Sequence, residues 1–412
     1  MVGFCGKGGR RLKSVLCLVL LPFSLQARPT MSIVTNASCS SNSFARTKIG
    51  LIGSRPAASQ LWLRPLGPHT ESAHNRAVRR GLQFIYRTAC DTVSFLEYGH
   101  DYLRLFHTIA VSSRNVDIQR LATQMGIERA HQWRRYHRDV PSNPHAETII
   151  ELALGSDAAD NLGVPDPKMK DQIMRAASAY SPRDYLGFDP HIEPPPSDIP
   201  ARCSYCHAKN PRGTKFCLGC VRRLKMKNQY DVWRDALIIT YVGDRFGVTL
   251  GAHYLSVLKW LPVMRASYQK AGQSKADFYS TVYAVTHVVY TLNDYGAHRL
   301  SPRWLPKEYA FLKLTLKKAI QMGDVDVLGE IVESLKYFDL ANDHPLIRQG
   351  VRYLLSHQNR DGSWGSVRES DVYNRYHPTW TAIAALNDCL CQKEGLSFPA
   401  LEPLLNKWSN EP

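Results

Sequence analysis

The chain has 412 residues and a formal net charge of +16, and 44% of its residues are hydrophobic. This length and hydrophobic content allow a large buried core, which excludes a wholly disordered protein. Residues 1–70 hold nine Lys and Arg but no Asp or Glu, so the remaining 342 residues carry a charge of only +7. An excess of that size is ordinary for a globular protein, and we expect no nucleic-acid partner.

The composition of residues 1–70 predicts a targeting leader. Basic residues precede the apolar run 15–25 and Ala27 follows it, which is the order found in a secretory signal peptide. That run is too short to span a bilayer, so we expect no transmembrane helix in the mature chain. Residues 31–70 are rich in Ser and Arg and contain no Asp or Glu, as organellar transit peptides do. Together they predict a plastid protein that travels through the secretory route. The alternative is a disordered or misassigned start and a cytoplasmic protein translated from Met31.

Helices are predicted throughout residues 71–185, because apolar residues recur there at helical spacing between short breaks of Gly, Ser, Asn or Pro. The predicted helices are 77–98, 100–110, 116–137, 146–154 and 168–180. Residues 186–200 contain five prolines, each of which lacks an N–H group and disfavours helix before it. We therefore expect an extended linker at residues 186–200.

Two Cys-x-x-Cys pairs separated by ten residues mark residues 201–228. Four thiolates at this spacing complete the tetrahedral shell of Zn²⁺ and leave no open position for water, so the expected site is structural. Its ligands are Cys203, Cys206, Cys217 and Cys220. The segment resembles a short zinc ribbon, although His207 and Val221 stand where Gly often follows each pair, and we expect His207 in a solvated loop. The alternative, redox-active cysteine pairs, lacks the strand–helix context that such pairs need.

The same segment is basic, with no Asp or Glu between residues 201 and 230. This charge has two interpretations. It could balance the negative charge of a four-thiolate zinc site on a solvated face, or it could bind an acidic partner. Tyr205 and Phe216 alone are aromatic within residues 201–228. Because that is too few to favour nucleic acid, we expect any partner of the ribbon to be a protein.

Helical periodicity returns in residues 229–412. The predicted helices are 232–246, 252–269, 277–295, 307–322, 325–337, 344–356, 378–391 and 399–408. With the five earlier helices they make thirteen, close to the twelve of six helical hairpins. The tripeptide Leu-Asn-Asp at 292–294 recurs at 386–388, which suggests an internal repeat.

A distinctive motif ends the predicted helix 344–356. Its Asp-Gly pair supplies turn chemistry, Trp364 has a large apolar face to bury, and Pro378 is placed to begin the next helix. The residues of the motif are Gln358, Asp361, Gly362, Ser363, Trp364 and Gly365. It resembles the repeat of the terpenoid cyclase and protein prenyltransferase superfamily.

That resemblance implies an all-α protein with an (α/α)6-type toroid of helical hairpins around a central cavity. Residues 71–185 and 229–412 would form its two parts, with the small zinc ribbon inserted between them. The alternative architecture is an irregular helical solenoid with the ribbon as a hinge.

The chemical motifs of that superfamily are largely missing. The chain has neither the Asp-x-Asp-Asp tetrad of class II cyclases nor the Asp-Asp-x-x-Asp motif of ionising synthases, and Asp324-Val-Asp326 is the nearest approach. Tyr376-His377-Pro378-Thr379 looks similar to the Tyr-His-Thr context of the zinc-binding His in protein prenyltransferases. Their upstream Asp-x-Cys ligands have no counterpart.

Polar residues form one stripe along the predicted helix 277–295, at i, i+4, i+7, i+8 and i+11. They are Tyr283, His287, Tyr290, Thr291 and Asp294. His253 and His377 lie near the starts of two other predicted inner helices. From these we select His287, Asp294, His377 and Tyr283 as candidate catalytic residues. The alternative is that the histidines are structural.

Two function classes follow. The first is a toroid enzyme that acts on an apolar or isoprenoid-like small molecule by His/Asp acid–base chemistry. The second is a non-catalytic toroid that binds a protein partner, with the zinc ribbon as its docking module. A cavity lined by Tyr, Trp, His and Asp would favour the enzyme, whereas a cavity filled by Leu and Phe would favour the binding protein.

Overall fold

The computed structural model describes residues 71–410 apart from positions 204, 207, 267, 269–273, 339, 341–342 and 391–392. The leader predicted at residues 1–70 and the loop position of His207 lie outside these residues, so both stay predictions. Helix dominates the described chain, and its named strands are two-residue pairs. The all-α prediction is therefore confirmed.

Six helices precede the linker. They are α1 Ala73–Cys90, α2 Thr92–Ser112, α3 Val116–Tyr136, α4 Ala146–Asn161, α5 Pro167–Ala177 and α6 Pro182–Leu186. The single helix predicted over 77–98 is wrong, because the Asp91 side chain accepts the Ser94 backbone N–H at 2.8 Å and so begins a second helix. Asn115 and Asp166 begin α3 and α5 in the same way.

Residues 201–228, called the cysteine segment below, are held at their base by two short strands. Strand β1, Ile199–Pro200, pairs antiparallel with β2, Met226–Lys227. Arg202 reaches Glu147 of α4, and Lys209 is also paired with Glu147. Part of the segment's positive charge is therefore used to attach it to the helices.

The second helical part begins with α7. Its helices are α7 Gln229–Phe246, α8 Tyr254–Leu258, α9 Leu261–Arg265, α10 Lys275–Leu292, α11 Pro306–Met322, α12 Val325–Tyr337, α13 Pro345–Ser356, α14 Tyr373–Leu386 and α15 Glu402–Ser409. Strands β3, His298–Arg299, and β4, Lys393–Glu394, form a parallel pair. Within the described ranges, no helix combines the length and the apolar character needed to cross a membrane.

The predicted helices 252–269, 277–295 and 378–391 differ from the observed ones. The helix predicted over 252–269 is replaced by α8 and α9, separated by Lys259 and Trp260. Helix α10 stops at Leu292, because Asp294 and Tyr295 adopt positive φ. Pro378 does not begin α14 but lies inside it, five residues after Tyr373.

The long helices contact one another in a regular order. Helix α2 packs against α4, α4 against α7, α7 against α10, α10 against α12, and α12 against α14. Helix α14 in turn contacts α2, so the sequence of contacts returns to its start. Helices α1, α3, α11 and α13 pack against pairs of these six.

The motif of residues 358–365, which follows α13, is bonded to α1 at the start of the described chain. The Gln358 amide donates to the Ala77 carbonyl on α1 at 2.9 Å, and the Trp364 indole N–H donates to the Leu354 carbonyl at 2.8 Å. Gly362 has φ +93°, and a Cβ there would collide with the Arg80 carbonyl of α1. The motif is thus a structural clamp between α1 and the last long helices.

Candidate active site

A cavity of about 50 Å³ lies among the six helices α2, α4, α7, α10, α12 and α14. That volume has room for a few water molecules. Its wall is unusually rich in ionisable side chains for a protein interior, with three carboxyl groups, one guanidinium and two imidazoles. They are Asp101, Glu330, Glu333, Arg104, His287 and His377.

The centre of the polar cluster is Asp326, in the first turn of α12. His377 Nδ1 of α14 lies 2.8 Å from one Asp326 carboxylate oxygen, and the Tyr283 hydroxyl of α10 donates to the other at 2.9 Å. The positive end of the α12 dipole adds further stabilisation to a carboxylate placed there. A side chain at Gly329 would collide with Thr381, so this glycine allows α12 and α14 to come close enough for the pairing.

His377 and Asp326 form an ion pair. Burial lowers the pKa of His377, but the charge of Asp326 and the hydrogen bond to it outweigh burial and raise that pKa to about 9. Burial also raises the pKa of Asp326, yet His377 and the hydrogen bonds to Asp326 bring it below the ordinary value. At neutral pH the pair is therefore an imidazolium beside a carboxylate.

Glu330 lies one turn further along α12, and its pKa is shifted in the opposite direction to that of Asp326. Burial, with repulsion from Asp326, raises the pKa of Glu330 to about 8. The contacts of Thr286 agree with a protonated carboxyl, because its one hydroxyl proton faces two acceptors, the Tyr283 carbonyl at 3.1 Å and Glu330. A proton on Glu330 allows both hydrogen bonds to form together.

His287 is a neutral imidazole in the same wall. Its Nδ1 lies 2.7 Å from the Tyr283 carbonyl oxygen, which can only accept, so Nδ1 carries the proton and Nε2 has a lone pair. Burial, with the nearby charge of Arg234, lowers the pKa of His287 to about 3. His287 Nδ1 is 3.8 Å from the Glu330 carboxyl, which places a neutral base beside a protonated acid.

The candidates selected from the sequence are only partly brought together. His287 and His377 share the cavity, and Tyr283 joins them through Asp326. Asp294 lies apart, in a neighbouring cavity of about 20 Å³, where it pairs with Arg245 and accepts from Tyr241. The expected shared face does not reach Asp294, because α10 has already ended. His253 is largely exposed and pairs with Asp244.

The sequence reasoning missed the carboxyl groups of α12. Asp326, Glu330 and Glu333 stand at i, i+4 and i+7 of a helix that is otherwise mostly apolar. A row of acids on an apolar helix is costly to bury unless each acid has a partner. The spacing of these three acids in the sequence could therefore have identified the site. Asp101 and Arg104 of α2 gave no comparable signal.

Among the described residues, two groups have the donor atoms to hold a metal ion. In the cysteine segment the Cys203 and Cys220 sulfurs are 3.5 Å apart and the Cys206 and Cys217 sulfurs 3.4 Å apart. All four thiols lie within 4.8 Å of one another and could bind a metal. The second group is Asp326, Glu330 and His377, each of which offers one ligand atom, and these three atoms lie within 4.8 Å of one another. Binding there would require the His377 imidazolium to lose one of its ring protons, because a protonated ring nitrogen cannot coordinate a metal.

Comparison with known proteins adds one match. A family model described as a domain of unknown function (DUF6895) matches residues 277–385, about a quarter of the chain. The matched range contains Tyr283, His287, Asp326, Glu330 and His377, which together form the polar cluster. No curated protein and no solved structure matches the chain.

Proposed function

We propose that the six cavity-lining helices are the inner helices of an (α/α)6 toroid related to the terpenoid cyclase and protein prenyltransferase superfamily. The order of helix contacts supports a closed ring over an open solenoid, because α14 contacts α2 and also packs against α1. The cavity walls support it too, since each of the six helices contributes a wall residue. The clamp at residues 358–365 holds the ends of such a ring together.

We propose that the protein is an enzyme whose central cavity performs acid–base chemistry. The observation that carries this is the buried cluster of His377, Asp326 and Glu330, in which neighbouring acids are held in opposite protonation states. Environments that push the pKa values of adjacent groups apart are typical of catalytic sites.

In this proposal each member of the cluster has one role. Glu330, protonated at neutral pH, donates a proton to the substrate as general acid. His287 is the neutral base that accepts one. The imidazolium of His377, fixed by Asp326, stabilises negative charge that develops on the substrate.

The cavity favours a small polar substrate. Its walls carry charged and hydroxyl groups, and its volume of about 50 Å³ holds a few water molecules. An isoprenoid chain, as the resemblance led us to expect, would require the cavity to widen.

The test of this function is proton transfer in deuterated water. Purified protein is incubated in D₂O with a mixture of small metabolites, and mass spectrometry follows their amounts and deuterium contents. We expect at least one compound to change with wild-type protein and to change about 100-fold more slowly with Glu330→Gln, because loss of a general acid typically costs 10²-fold or more. Glu402→Gln, which changes a half-exposed acid of α15 outside the cavity wall, is the control. No change with wild-type protein, or equal rates with Glu330→Gln, would contradict the proposal.

A second candidate function concerns the cysteine segment. We propose that its four thiolates bind one structural Zn²⁺ and that the resulting ribbon docks an acidic protein partner. Four large apolar side chains are exposed on this short segment, Tyr205, Phe216, Leu218 and Val221, at 56–77% of their surface. The basic residues Lys215, Arg222 and Arg223 are exposed among them. Apolar anchors surrounded by positive charge suit an acidic protein surface.

A further inference from the structure

Arg104 of α2 lies where the two neighbouring cavities meet. Its side chain lines both of them, together with Tyr295. The guanidinium carbon is 5.0 Å from the centre of the Tyr295 ring, which supports the positive charge from one side. Its Nη2 atom is buried and has no hydrogen-bond partner among the described residues. A buried N–H group of a cation without an acceptor is costly, and such groups are usually satisfied by water or a ligand.

The nearby carboxylates are bonded to other groups. Asp101 accepts from the Tyr376 hydroxyl at 2.6 Å and faces His100 at 3.4 Å. Asp294 is paired with Arg245. Asp157 accepts from the Asn161 amide at 3.1 Å. Asp101 and Asp157 balance the charge of Arg104 at a distance, but neither accepts a hydrogen bond from Nη2.

We propose that Arg104 Nη2 binds the carboxylate of a small substrate at the junction of the two cavities. The substrate would then extend from Arg104 toward Glu330 and His287, which line the larger cavity. That the carboxylate belongs to a substrate rests on the proposed enzyme function. The binding of a carboxylate by Arg104 does not depend on it.

A carboxylate suits this position better than a phosphate. It carries one negative charge, and its planar oxygens match the hydrogen-bonding edge of a guanidinium. A phosphate dianion would bring a second negative charge toward Asp101 and Asp157, and it needs more space than a carboxylate. The probe for the site is therefore acetate, with inorganic phosphate as the competing anion.

The binding test uses the full chain and equilibrium dialysis of radiolabelled acetate. We expect wild-type protein to bind about one acetate per chain in a saturable way, with phosphate a poor competitor. Arg104→Met should weaken acetate binding at least about tenfold, because it removes a charge-assisted hydrogen bond. Arg104→Lys, which keeps the charge but loses the planar fork, should weaken it about threefold or more. Arg120→Met, an exposed arginine of α3, is the matched control and should bind as wild type.

Several outcomes would overturn the inference. Wild-type protein that binds no acetate, or Arg104→Met that binds it as well as wild type, would mean that water satisfies Nη2. Binding of phosphate but not acetate would contradict the carboxylate assignment. If Arg104→Met does not fold, Arg104→Lys decides, and unchanged affinity overturns the proposal. Acetate binding without any turnover in D₂O would contradict the enzyme function alone, and turnover without acetate binding would contradict this inference alone.

Discussion

Asp326 and Glu330 lie four residues apart on one face of α12 yet hold opposite protonation states. The difference comes from their partners, since Asp326 bonds to His377 and the Tyr283 hydroxyl, whereas Glu330 shares a hydrogen bond with Thr286 in a buried wall and is repelled by the charge of Asp326. A lone carboxyl buried in this way keeps its proton, and a paired one loses it. The protonation states of these two acids are thus set by single contacts rather than by residue type.

Some of these residues could be predicted from sequence alone. His287, His377 and Tyr283 stood out as polar residues on apolar helices or within a recognisable motif. Asp326 was noted only as part of an incomplete motif, because its partner His377 is 51 residues away. Which acid meets which base depends on helix packing, and residue spacing along the chain does not contain that information.

Gly362 offers a prediction at the scale of one residue. Gly362→Ala should lower the free energy of unfolding by about 2–4 kcal/mol, because the new Cβ meets the Arg80 carbonyl and φ is +93°. Gly163→Ala is the matched control, since φ there is +83° but no atom lies within 4 Å of the new Cβ. Its cost should be about 1 kcal/mol. Chemical denaturation measures both, and equal losses would mean that the clamp does not depend on close contact with α1.

At the scale of elements, periodicity predicted helices better than it predicted their ends. Helix α12 has the predicted bounds Val325–Tyr337, with Asp324 at its N-cap. The predicted end of α10 was wrong because the apolar and aromatic pattern continues to Tyr295, although Asn293, Asp294 and Gly296 favour a helix end and the chain turns through positive φ there. Pro378 was placed at a helix start by a general preference, but one more turn precedes it.

The cysteine segment carries a prediction at this scale. Purified protein should contain about one zinc ion per chain, and Cys206→Ser should lose it because a hydroxyl is a poor zinc ligand. Cys90→Ser, which changes an exposed cysteine of α1, is the control and should keep the zinc. Elemental analysis by mass spectrometry measures both. Zinc content unchanged by Cys206→Ser would contradict the four-cysteine site.

At the scale of the whole molecule, the candidate site depends on contacts between distant parts of the chain. Wall residues come from α2 near one end of the described chain and from α14 near the other. From the sequence, the motif at residues 358–365 predicted such contacts between distant parts of the chain, because it resembles a known toroid repeat. The size of the cavity and its carboxyl-rich wall could not be predicted, since both follow from the relative positions of six helices.

The pKa of His377 tests most directly whether those helices build an acid–base centre. Proton NMR of the imidazole C–H signal, assigned with His377→Gln, should give a pKa of about 9 in wild-type protein. Asp326→Asn should lower it below the ordinary value of 6.5, because burial then acts without the opposing carboxylate. Asp324→Asn is the matched control, since Asn still caps α12 and Asp324 bonds to backbone N–H groups of that helix. An ordinary pKa in wild-type protein, unaffected by Asp326→Asn, would contradict the proposed centre.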